Sequence, residues 1–152
     1  MTAVSDPNFA HYYRTELAFA TFLHILADAE AGIRLPDGHV PSTLLFGFVD
    51  AEIVGRLMLR HSLNDFLRRI GGNIGFVVVP GHRRLGYATE MLRQGLHLAS
   101  SKGMEKVLVT CDEDNVASRR TIERCGGVYE GSASRPEDLV AKRQYWISLA
   151  KP

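Results

Sequence analysis

Two periodicities alternate along the chain. From about Ala10 to Ala31 the apolar residues Leu17, Phe19, Ala20, Phe22, Leu23, Leu26 and Ala27 recur as one broad helical face, and Gly32 with Pro36-Asp37-Gly38 ends it. Ser42 to Val49 and Glu52 to Arg60 read as two strands joined by a tight turn at Asp50-Ala51. His61 to Gly72 is a connection carrying Asn64, Asp65, Arg68 and Arg69 with a Gly71-Gly72 stop, and connections of that length often carry function. Ile74 to Val79 is a β-branched and aromatic run that predicts a buried strand, stopped by Pro80-Gly81. Ala88, Met91, Leu92, Gly95, Leu96 and Ala99 then fall on one face of a helix that ends at Lys102-Gly103. Lys106 to Thr110 predicts a short buried strand whose end is capped by Cys111 to Asn115, and Val116 to Arg124 a helix stopped by Gly126-Gly127. Strands are expected at Val128 to Gly131 and Tyr145 to Leu149, with Gly131 to Lys142 as the loop or hairpin between them.

This order predicts an α/β fold: a mixed, largely antiparallel sheet with a central βαβ unit, flanked by helices. At 152 residues the expectation is a single domain over 1–152 with room for a core. The 18 basic and 17 acidic side chains nearly cancel, which gives no general reason to expect nucleic-acid or membrane partners. No apolar run approaches the roughly 20 residues that span a bilayer, and the N-terminus does not read as a signal peptide. Cys111 and Cys125 lack the spacing of a metal site or a disulfide framework, so no metal is expected. A cytoplasmic location is the default expectation.

Chemistry concentrates between the Ile74–Val79 strand and the helix after it. That turn carries Arg83, Arg84 and Gly86. The first N–H groups of a helix lack intrahelical partners, and the helix dipole adds partial positive charge there. Gly86 lets the backbone approach a bulky phosphate, and two arginines add charge. A Walker-type loop would need Gly-Lys-Ser/Thr and a dinucleotide fingerprint Gly-x-Gly-x-x-Gly; neither occurs.

Arg83-x-x-Gly86-x-Ala88 resembles the Arg/Gln-x-x-Gly-x-Gly/Ala signature of the GNAT acyltransferase superfamily. The hairpin Phe48 to Gly55 resembles that family's second and third strands, and Asn115-Val116-Ala117-Ser118 with Glu123 to Gly127 resembles its next helix. The resemblance covers about Ser42 to Leu149, and within the family it is to the ribosomal-protein-type and uncharacterised bacterial branch. It implies transfer of an acetyl group from acetyl-coenzyme A, as cosubstrate, to a small-molecule or protein amine by direct attack in a ternary complex. It also implies that backbone groups of Val77, Val78 and Val79 bond the pantetheine arm. The N–H groups of Arg84, Leu85, Gly86, Tyr87, Ala88 and Thr89 would hold the pyrophosphate, with Arg83 beside them, while Asn115 and Ser118 flank the cofactor. Relatives open with a strand before the first helix; none is readable here, and its absence would leave a sheet edge free to pair in a homodimer.

The reaction asks for a base, a donor to the developing oxyanion, and optionally an acid for the thiolate. Some relatives place a glutamate where this chain has Asn73, which cannot act as a base. The substitutes are His61, Asp65 and Glu52, with His61 favoured because its unperturbed pKa is about 6.5. Many relatives carry an acid tyrosine where this chain has Ile122; Tyr129, Tyr145 and Cys111 are the alternatives, and an acid is dispensable for a thiolate leaving group. A coenzyme A-binding module without chemistry is the competing reading, and an unrelated nucleotide-phosphate protein a third.

Overall fold

The computed structural model describes Phe9 and residues 16–151. In chain order the elements are α1 (Phe19–Ala31), β1 (Ser42–Val49), β2 (Glu52–Arg60), β3 (Ile74–Val78), α2 (Tyr87–Ser101), β4 (Lys106–Asp112), α3 (Val116–Arg124), β5 (Val128–Ala133) and β6 (Lys142–Ser148). They form one six-stranded sheet in the order β1-β2-β3-β4-β6-β5, with β3 and β4 parallel and every other neighbour antiparallel. The mixed, largely antiparallel sheet expected from the pattern is therefore the one formed.

β1 and β2 have the bounds read from the sequence, and their turn works because Asp50 and Ala51 both take positive φ, at 48° and 66°, as a two-residue hairpin requires. Four expectations need correction. Residues 16–18 are not helical, so α1 begins at Phe19, with Ala18 as an N-cap that makes no side-chain bond. The part of that predicted helix at residues 10–15, like any strand before it, lies outside the described residues. The His61–Gly72 connection is not a plain loop: Leu67–Gly71 is a π-helical turn, with the Leu67 N–H bonded to Asn64 Oδ1 at 2.9 Å and Leu67 and Ile70 buried. β4 runs on through Cys111 and Asp112, and β6 begins at Lys142, because Asp112 pairs with Lys142 in register and in charge, so the polar residues are satisfied across strands.

The core sits between the sheet and α2 with α3. Leu57, Leu59, Ile74, Val107, Val109, Tyr145 and Ile147 from the strands meet Leu92 and Ala99 of α2 and Ile122 of α3. α2 seats closely on β2: a Cβ added to Gly55 would stand 2.8 Å from Met91 Sδ and 2.6 Å from Val77 O. The opposite face of the sheet is crossed by the π-helical segment. Arg60 donates to the carbonyls of Gly71 and Gly72, Thr110 donates to Ile70 O at 2.6 Å, and Gln144 Nε2 donates to Arg68 O and Arg69 O. Among the described residues no helix is long and apolar enough to cross a membrane.

Candidate active site

β3 and β4 are sheet neighbours that barely touch. Ile74↔Val109 is their one register pair, where β2 and β3 share five. Asn73 clamps this junction. Its N–H donates to Leu108 O at 2.7 Å, its Oδ1 accepts the Leu108 N–H at 2.8 Å, and its Nδ2 donates to Arg60 O at 3.1 Å. Only 3% of Asn73 is exposed, so the asparagine that cannot be a base has a structural task instead. Nothing in the local pattern flagged that task, since it depends on two partners distant in sequence.

Beyond the clamp the ladder stops and a gap opens between the strands. Val79 N–H donates to Val54 O at 2.8 Å, which puts the main-chain groups of Val77 and Val79 on the β2 side. By alternation, those of Phe76 and Val78 face the gap. Of the three valines read from the sequence, Val78 alone presents its peptide groups there, and its carbonyl accepts from Arg83 Nε at 3.1 Å. Arg83 thus folds back onto the strand.

The gap leads to the start of α2. After a 3-10 turn at Pro80–His82, Arg84 takes φ 62° and Gly86 φ 85°, and Tyr87 opens the helix with no side-chain cap. A Cβ built on Gly86 would meet nothing within 4 Å. Glu90, the one acid of the first turn, is bonded to Gln94 and Arg93, which hold its carboxyl below the usual range and away from the helix end. No carboxylate of this helix is bonded to the N–H groups over Arg84, Leu85, Gly86, Tyr87, Ala88 and Thr89, and the space beside Gly86 is open. This arrangement fits a phosphate-bearing ligand whose slender arm extends along β3. At α3, by contrast, Asn115 Oδ1 accepts the Ser118 N–H at 3.1 Å.

The candidate bases are not brought together. Glu52 lies at the gap's open end, 73% exposed at the side chain and 3.6 Å from His82 Nε2. His61 lies at the far end of α2, where its Nε2 is 2.8 Å from Thr43 Oγ1; Thr43 contacts Glu30, and Glu30 pairs with Lys102. Burial and the Lys102 ammonium push the His61 imidazole below its ordinary value, with Glu30 opposing. Asp65 stands on the opposite sheet face, lining a cavity with Phe66, Arg69, Ile70 and Arg135. The acid candidates fare no better. Ile122 is fully buried, burial pushes the Cys111 thiol up to about 11, and the Tyr145 hydroxyl donates to Glu123 while accepting from Arg143. Tyr129 is on β5 with its hydroxyl 3.2 Å from Ser132 Oγ. Sequence reasoning missed Asp112, which it placed past the strand; it continues β4 along the gap, paired with Lys142.

Comparison with known proteins gives the same frame. Residues 2–128 match the family model of the acetyltransferase (GNAT) domain. A curated relative, the uncharacterised N-acetyltransferase YjdG of Bacillus subtilis (strain 168), is 28% identical over 79 residues, which is 51% of this chain and 43% of the relative. The chain thus aligns with less than half the length of that relative. Among solved structures, a putative acetyltransferase, yncA, from Salmonella typhimurium with acetyl-CoA bound superposes with a TM-score of 0.64 at 14% identity, over 91% of this chain and 78% of that one. An N-acetyltransferase from Staphylococcus aureus Mu50 gives 0.65 at 13% identity, over 97% and 87%. With the family model spanning most of its length and the fold shared, the chain belongs to the GNAT acetyltransferase family.

Proposed function

We propose that the protein is an acetyl-coenzyme A-dependent N-acetyltransferase acting on a primary amine of a small molecule or protein. The observation that carries this reading is the one-pair junction of β3 and β4 opening toward an uncapped helix start. The gap-facing peptide groups of Phe76 and Val78 would hold the pantetheine arm as a neighbouring strand would, and the N–H groups from Arg84 to Thr89 would hold the pyrophosphate. Asn115 and Ser118 flank the same end. The thioester supplies an activated acetyl group and a thiolate that leaves readily near neutral pH. The acceptor nitrogen forms its bond to the carbonyl carbon as the carbon–sulfur bond breaks, and its proton passes to solvent or a nearby base. Val78 N–H, unlike that of Val79, is directed to donate to the carbonyl oxygen as charge develops on it. With Glu52, His61 and Asp65 at three separate places, orientation in the gap supplies most of the acceleration. The unpaired thiols Cys111 and Cys125 suit the reducing cytoplasm.

The scatter of those three side chains also favours a second reading, a coenzyme A-binding module without turnover. One experiment separates them: thermal unfolding with acetyl-coenzyme A, followed by thiol release on adding amines. Stabilisation with amine-dependent thiol release is the expected result. Stabilisation without release across a broad amine panel would favour the module, and no stabilisation of a folded protein would sink both.

A further inference from the structure

We infer that the cavity between the Asp65–Gly71 segment and the β5–β6 connection is the acceptor site, and that it takes a small amine also bearing a carboxylate, of the α-amino-acid kind. This rests on the acetyltransferase reading above. The cavity, of about 200 Å³, is lined by Asp65, Phe66, Arg69, Ile70 and Arg135. It lies on the sheet face opposite α2 and α3, so an acceptor there does not compete with a ligand at the α2 start. It also adjoins the gap: Ile70, in its wall, accepts a 2.6 Å hydrogen bond through its carbonyl from Thr110 of β4, the strand that borders the gap.

The walls are set by contacts that leave two charges over. The Asp138 carboxylate accepts from both the Arg135 N–H and its guanidinium, at 2.7 Å each, and that guanidinium sits 5.5 Å from the Phe66 ring centre. Arg135 is thus a neutralised wall. Asp65 has no hydrogen-bond or ion partner among the described residues, and the Arg69 guanidinium has a single long bond, 3.5 Å to Ser134 O. The two are four residues apart on one helical segment and make no ion pair with each other. Side chains so spaced start about 5–6 Å apart. That span suits the adjacent ammonium and carboxylate of an α-amino acid, with Asp65 taking the first and Arg69 the second, bidentately. Phe66 and Ile70 give its side chain an apolar surface. A polyamine would leave Arg69 facing like charge, and a folded protein segment exceeds the volume.

The test measures thiol release from acetyl-coenzyme A with L-amino acids, starting with L-leucine and L-methionine, and with the amide of whichever is best. At least one amino acid should be acetylated, and its amide should lose about tenfold or more in kcat/KM, because Arg69 then has no carboxylate to pair. Arg69→Gln should lower the value for the acid to that of the amide while leaving the amide's unchanged, a selective loss that a merely structural role would not produce. A protein that acetyl-coenzyme A stabilises but that acetylates no amino acid, or that handles acid and amide alike, overturns this inference alone. Absence of stabilisation by acetyl-coenzyme A overturns the parent reading as well.

Discussion

The two ends of the β3–α2–β4 unit are built on opposite plans. At the closed end polar groups are tied to one another: Asn73 ties β3 to β4 and to Arg60, Lys102 N–H closes the helix on Leu98 and Ala99, and Thr43, His61, Glu30 and Lys102 form a chain of contacts. At the open end the ladder has stopped, the helix has no side-chain cap, and two turn residues, Arg84 and Gly86, take left-handed φ. One end is tied together by its own side chains; the other leaves a helix start without a side-chain cap beside parted strands. A fold that keeps the same strands in register at one end and lets them part at the other separates stability from binding.

Changing the open end should abolish binding while the protein stays folded. Acetyl-coenzyme A at a hundred times its dissociation constant should stabilise the wild type by about 2.7 kcal/mol, and Gly86→Glu, which puts a carboxylate where the anion would sit, should remove that rise in melting temperature. If the folded variant still responds, the ligand binds elsewhere. At the closed end the reverse is expected. Asn73→Ala leaves the Leu108 N–H buried without its acceptor and should cost about 2 kcal/mol in urea unfolding; a loss near zero would mean that the clamp is not needed. Asn115→Ala should cost about 1 kcal/mol through the lost cap of α3.

The smallest effect belongs to His61. Its pKa is lowered in the fold from 6.5, so the unfolded chain binds more protons between the folded value and 6.5. Stability from this group is fully present above 6.5 and declines as pH falls through that window. His61→Gln should therefore flatten the fall in melting temperature below pH 6.5, and an unchanged slope would show that other groups set it.

Much of this was readable from the chain because apolar spacing determines it. β1, β2, α3 and most of β3 follow directly from runs of period two or 3.6, and the arginine–glycine turn stands between β3 and α2 as expected. What escaped depends on partners far along the chain. Lys142 and Arg143 look like loop residues until Asp112 and Glu113 are seen opposite them. The Leu67 and Ile70 pair, three residues apart after Asn64, was a helical signal hidden among arginines. The scatter of Glu52, His61 and Asp65 was not legible at all, since a position near a strand end does not say which end of the sheet, or which face, a side chain will occupy.

The clamp at Asn73 has a mechanical consequence. β1–β3 and β4–β6 are joined edge to edge at essentially one residue pair, which lies at one end of their junction. From Ile74 to the mouth beyond Val78 a strand extends about 16 Å, so a rotation of about 5° about that pair moves the mouth by roughly 1.4 Å, close to the length of a carbon–carbon bond. By that leverage alone, a small change in packing around Asn73, Arg60 and Leu108 is magnified at the mouth.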